Sequence, residues 1–293
     1  MPDPNSPDGP NGIFVLPAAQ TRHLSRKWLD LPYGVESPFQ KLDVFLPDRG
    51  QGPWPVVVYV HGGAWMMCDK SDLQVEPALY GLTKGWAVVS VNYRLSSEAR
   101  YPAQLHDVQA AIHWVRANAS VFDFDPRRVA VCGSSAGAHL AAHAALQGAR
   151  SKTIGVGAAV IWYGPTNFLK MDDYLRESGA GVADHGEVES PESRLLGGKI
   201  SLLPELVRDA NPETWITSEA PPFLIQHGTA DPIVPWQLAR DFALRLEVTI
   251  GKSRVELDLI PGAGHAGPEF ATEENCRRTF DFLDKWLGAG GRT

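Results

Sequence analysis

"RRVAVCGSSAGAHLAAHAAL", residues 127–146, passes from a β-branched run into an alanine-rich one across two serines flanked by glycines. Val129–Cys132 reads as a strand buried on both faces. Ala136, Ala138, Ala141, Ala142, Ala144 and Ala145 read as a helix lying close against a sheet. Strand, tight turn and helix in succession make an elbow, and the spacing Gly133-x-Ser135-x-Gly137 exposes its central residue. Glycines two before and two after that residue remove side chains that would strike the neighbouring strand and helix. Ser135 rather than Ser134 is therefore the candidate nucleophile. It stands at a helix N-terminus, where free N–H groups and the macrodipole stabilise negative charge.

Similar apolar runs recur along the chain. Val56–Val60, Trp86–Val91, Ala158–Trp162 and Phe223–Ile225 read as further buried strands. Lys27–Leu31 and Lys41–Leu46 read as two early strands, and Val255, Leu257 and Leu259 alternate like a strand with one more exposed face. Helical stripes fall between them: Leu105/Val108/Ile112/Val115, Leu238/Phe242/Leu246 and Cys276/Phe280/Leu283/Leu287. Strands alternating with helices predict an α/β fold, a mostly parallel central sheet with helices on both faces. One segment breaks the rhythm. Residues 169–221 carry mixed charge and Gly-rich turns with no buried-strand pattern, too long for a structureless loop, and are expected to form a cap-like insertion of short helices. Residues 1–20 are expected to be a mobile tail, leaving a single domain from 21 to 293.

Composition narrows the function. With 293 residues, 44% hydrophobic and 21% charged, the chain is long enough for one large core. A formal charge of −7 gives no general attraction to nucleic acid or anionic lipid, and no apolar run approaches a membrane span. The three cysteines, Cys68, Cys132 and Cys276, are far apart and odd in number, so neither a disulfide framework nor a zinc site is expected. The N-terminus lacks a basic start and an apolar run, and a cytoplasmic address is expected. A small-molecule substrate is the expected partner, with a homodimer as a further option.

A nucleophilic serine needs a base and an acid to orient it. Five histidines follow Ser135. His139 and His143 lie on the helix after the elbow and point away; His185 lies in the insertion; His227 ends a strand in "FLIQHGTADPIVP". His265, in the Gly-rich loop of "LDLIPGAGHAGP", is the remaining one and comes after Asp231. Asp231 sits just past a buried strand, where α/β ligand sites assemble. Asp258 is a poorer candidate, inside an alternating strand with outward parity. Upstream, "VVVYVHGGAWMM" places Gly62, Gly63 and Ala64 directly after a strand, where backbone N–H groups can turn toward a substrate oxygen, with Ala136 N–H as a second source. His61 reads as holding that loop by hydrogen bonds. Trp65, Met66 and Met67 either line an acyl pocket or pack the core beneath the insertion.

The sequence resembles the α/β-hydrolase superfamily, specifically carboxylesterases related to hormone-sensitive lipase. The resemblance rests on "HGGAW" (61–65), "VNYRLSSEARYPAQLHDVQAAIHWV" (91–115), "RRVAVCGSSAGAHLA" (127–141), "PPFLIQHGTADPIVP" (221–235) and "GAGH" (262–265). It implies a cofactor-free, metal-free serine hydrolase with Ser135 as nucleophile, His265 as base, Asp231 as orienting acid and an oxyanion hole at Gly63, Ala64 and Ala136. Arg94 and Asp107 match positions that are structural in such enzymes. Ala64 stands where the lipase-like group usually has a third glycine, and Ser134 where many relatives carry aspartate. Both variants look more like the feruloyl-esterase-like (BD-FAE) branch and the kynurenine formamidases. The implied activity is cleavage of carboxylic esters, with a short acyl chain expected; an arylformamidase or a feruloyl or acetyl esterase is the alternative, and a non-enzymatic hydrolase-fold binding protein the more distant one.

Overall fold

The computed structural model describes residues 15–149, 151 and 153–288. Eight strands form one sheet: β1 (Lys27–Pro32), β2 (Lys41–Phe45), β3 (Trp54–Val60), β4 (Ala87–Val91), β5 (Phe124–Ser134), β6 (Ala158–Trp162), β7 (Phe223–Gly228) and β8 (Val255–Ile260). Their spatial order is β1-β2-β4-β3-β5-β6-β7-β8. β2 runs antiparallel to both β1 and β4, and every pair from β4 onward is parallel. This is the expected mostly parallel α/β sheet. The central strands β3, β4 and β6 are buried along their whole length, as continuous apolar runs require when both faces are covered.

Alternate residues of those strands feed two cores. Val56, Val58, Val60, Val129 and Val131 pack on one face against α2 (Ala103–Ala117), α4 (Ala136–Gly148) and α8 (Gln237–Ile250). Val57, Tyr59, Ala130 and Cys132 pack on the other against α1 (Glu76–Leu79) and α9 (Glu273–Leu287). The short α3 (Ala119–Phe122) precedes β5, which begins five residues before the apolar run that announces it. The early part was hidden because Asp125, Arg127 and Arg128 are charged; both arginines pair with the one carboxylate while Phe124 pairs with Trp54 ahead of a register shift.

Residues 168–215 fold into α5 (Met171–Ser178), α6 (Pro191–Leu196), α7 (Pro204–Ala210) and intervening 3-10 turns. Phe168, Met171, Leu195, Ile200 and Val207 are buried in the same cluster as α4. Of the expected mobile tail, residues 1–14 lie outside the described residues. From Pro17 the chain is anchored sooner than position 20: Pro17 carbonyl accepts from Leu73 N–H at 2.8 Å and Ala19 N–H donates to Ser71 at 2.9 Å. No described helix is long and apolar enough to cross a membrane.

Candidate active site

Ser135 joins β5 to α4 with φ 52° and ψ −120°, a backbone state that ordinary residues adopt only when their surroundings enforce it. Its N–H donates to the Trp162 carbonyl at 2.9 Å. The flanking glycines are steric necessities. A Cβ on Gly133 would lie 2.3 Å from the Gly137 carbonyl oxygen, and one on Gly137 would lie 2.1 Å from that of Val60. Helix and strand approach so closely that neither site can carry a side chain. The hydroxyl of Ser135 is thereby lifted out of the sheet, while Ser134 is fully buried.

The loops after β7 and β8 are stitched together. Thr229 N–H donates to Ile260 and Ala230 N–H to Ala263, both at 3.0 Å, and Gly228 lies so close that a Cβ would meet Ala263 oxygen at 2.2 Å. That seam brings Asp231 and His265 together. His265 Nδ1 donates to Asp231 Oδ2 at 2.8 Å, and its Nε2 faces Ser135 Oγ at 2.9 Å. Asp231 Oδ1 accepts the N–H groups of Ile233 and Val234, each at 2.9 Å. Burial alone would raise the Asp231 carboxyl, but hydrogen bonds from His227 and His265 and their charge hold it well below the usual carboxylate range. Tyr163, absent from the expected set, lays its ring edge-on to His265 at 4.9 Å between centroids.

His227 has a part that sequence reasoning missed. Its Nε2 reaches both Val234 carbonyl at 2.8 Å and Asp231 Oδ2 at 3.2 Å. Because a carbonyl can only accept, Nε2 carries the proton, and Asp231 receives donors from two histidines. Asp258, the alternative acid, accepts from Gln226 at 2.9 Å and pairs with Arg278, so it does not meet His265.

The HGGAW loop runs through positive φ at Gly63 (108°), Ala64 (52°) and Trp65 (58°). Of the expected donors, Gly63 and Ala64 lie on this loop and Ala136 is the first residue of α4, directly after Ser135. Gly62 does not fit the expected role of free donor. Its N–H donates to Gln74 Oε1 at 3.0 Å, because Gln74, on a 3-10 turn, reaches under the loop. Gln74 Oε1 also accepts from Ser134 Oγ at 3.1 Å, and Ser134 sits 3.0 Å from the Tyr59 hydroxyl. No local motif marks Gln74, since its partners are distant in sequence.

Of the two readings open for Trp65, core packing is the one observed. Its indole is only 1% exposed, set edge-on against His139 at 5.2 Å and Phe168 at 5.5 Å, so it packs the core and offers no surface to a substrate. Met66 and Met67 are half-buried, and Met66 borders an open cleft. His61 bonds the Gly62 carbonyl through Nδ1 at 2.7 Å and stacks on Tyr93. His139 and His143 are fully buried, His139 donating to Ala210 carbonyl at 2.8 Å. His185 joins Glu192 and Ile233 carbonyl, each at 3.0 Å. Arg94 forms a forked pair with buried Asp107. Among the described residues no group of three His, Cys, Asp or Glu is arranged to hold a metal ion.

A strained elbow serine, a histidine and a buried carboxylate, on loops at the C-terminal ends of parallel strands, define this molecule as an α/β-hydrolase. The chain belongs to the BD-FAE family, whose family model matches residues 42–246. It is 34% identical over 291 residues to Esterase LipQ of Mycobacterium tuberculosis, covering 95% of this chain and 66% of LipQ. It is 35% identical over 244 residues to Esterase LipC of the same organism, covering 80% of this chain and 58% of LipC. The chain thus spans less than two thirds of the length of these relatives. A solved truncated carbohydrate esterase from gut microbiota superposes with a TM-score of 0.83 at 27% identity, covering 92% of this chain and 99% of that one.

Proposed function

We propose that the protein is a serine hydrolase of small carboxylic esters that works through an acyl-enzyme. The observation that carries this reading is the unbroken line Ser135 Oγ, His265 Nε2, His265 Nδ1, Asp231 Oδ2, with contacts of 2.9 and 2.8 Å. Relatives named as esterases support it.

Ser135 Oγ attacks the ester carbonyl as its proton passes to His265 Nε2. Asp231 holds the ring in the tautomer that leaves Nε2 free and stabilises its charged form. The carbonyl oxygen, now negative, takes the N–H groups of Gly63, Ala64 and Ala136; one such donor is worth about 3 kcal/mol in comparable sites. His265 then gives its proton to the departing alkoxide. Water enters, loses a proton to the same nitrogen, and releases the acid and the serine.

The chain's own residues complete this chemistry without a cofactor. A cytoplasmic setting is consistent with three cysteines that are all buried and unpaired, burial raising the Cys68 thiol to about 12.

Ser135→Ala should abolish turnover of 4-nitrophenyl acetate, and an organophosphate should add its mass to the wild-type chain alone. Retained turnover in the variant would overturn the assignment. Rates on a short-chain ester, a feruloyl ester and N-formylkynurenine, measured side by side, separate the ester reading from the formamidase one.

A further inference from the structure

A cleft of about 540 Å³ lies between the HGGAW loop, the 96–100 loop and α6. It adjoins the end of the HGGAW loop: Met66, two residues after Ala64, forms one wall, and Ser96 N–H donates to the Trp65 carbonyl at 2.7 Å. Tyr101 N–H donates to the Leu195 carbonyl at 2.9 Å, joining the 96–100 loop to α6.

The cleft holds two arginines and one carboxylate. Arg194 is neutralised by Glu189 at 2.7 Å, whereas Arg100 has no ion-pair partner among the described residues. Arg100 is exposed. It lies along the backbone of Gly197 (φ +81°), where a Cβ would come within 2.4–2.6 Å of its Cδ, Nε and Cζ. Glycine at 197 therefore serves both a left-handed turn and the seat of a guanidinium. Ser96, Ser97 and buried Ser193 add hydroxyl groups to the walls. A guanidinium is a planar fork matched to a carboxylate.

Resting on the hydrolase reading above, we propose that this cleft is a substrate subsite for esters that carry a carboxylate, with Arg100 as its counter-charge. The carboxylate belongs to either the acyl or the alcohol part, and two matched pairs of esters distinguish them. 4-Acetoxybenzoate against 4-acetoxytoluene places the charge on the alcohol; mono-4-nitrophenyl glutarate against 4-nitrophenyl pentanoate places it on the acid.

The quantity read is the ratio of kcat/KM for the anionic ester to that for its neutral partner. Arg100→Gln should lower this ratio about tenfold in one pair, the size of one lost charged hydrogen bond. Gly197→Val, which unseats Arg100, should lower the same ratio. In the Ser135→Ala background, calorimetric titration with 4-acetoxybenzoate or glutarate should show about tenfold weaker binding once Arg100 is replaced. Ratios and affinities that ignore Arg100, with esters still turned over, would overturn the subsite and leave the hydrolase standing. Arg100-dependent binding without any ester turnover would do the reverse.

Discussion

The side-chain oxygen of Gln74 takes the N–H of Gly62 at 3.0 Å and so pins the start of a loop whose next three residues all have positive φ. Such backbone persists only where neighbours over-determine it. Gln74→Leu should lower kcat on a short-chain ester about 10- to 100-fold with KM changed less than about twofold, because the loop's donors act on charge that develops in the transition state. A lowered melting temperature with unchanged kcat would make Gln74 a support of the fold alone.

Asp231 accepts from four groups, and its amide would serve only some of them. In Asp231→Asn the oxygen can keep the Ile233 and Val234 N–H groups, turning NH2 toward His265 and His227. His265 would then present an unprotonated Nδ1 and lose its free Nε2. Turnover should fall about 10⁴-fold. The amide NH2 facing the His227 N–H, donor against donor, should also cost about 1–3 kcal/mol, read by denaturant titration. Full stability would show that His227 does not depend on the carboxylate.

The motif glycines are not alike. Gly137→Ala sets a Cβ 2.1 Å from backbone that cannot move and should cost more than about 3 kcal/mol or prevent folding. Gly264→Ala, two residues along the "GAGH" run from Gly262, meets nothing within 4 Å at an ordinary φ and should change stability by less than about 0.5 kcal/mol. Equal effects at both sites would contradict the packing described.

Acid sensitivity should come from the helix behind the nucleophile. Burial pushes His139 down to about 4, and burial with the neighbouring His139 lowers His143. Both fold neutral, whereas the unfolded chain takes up protons near the ordinary imidazole value of about 6.5. Their contribution is fully present above that pH and is lost as pH falls toward 4, up to about 3 kcal/mol for His139. His139→Gln, which retains a donor for Ala210, should flatten the fall of the denaturation midpoint over that range. An identical slope would place the sensitivity elsewhere.

Much of this arrangement can be read along the chain. Val56–Val60 and Ala158–Trp162 declare buried strands because both faces of a parallel sheet are covered. The meeting of Ser135, Asp231 and His265 follows from loops at one end of that sheet. Contacts that depend on distant packing are silent in sequence. Gln74 lies in no motif, His227 looks like a strand end, and Trp65 is buried only because Phe168 arrives from the insertion. Gly62 fits the motif of a donor, yet its proton is already spent.

Trp65 sits between Phe168 of the insertion and His139 of α4, one residue beyond the Ala64 amide. The indole therefore joins three separate parts of the chain, the insertion, the helix after the elbow and the HGGAW loop, in one aromatic contact.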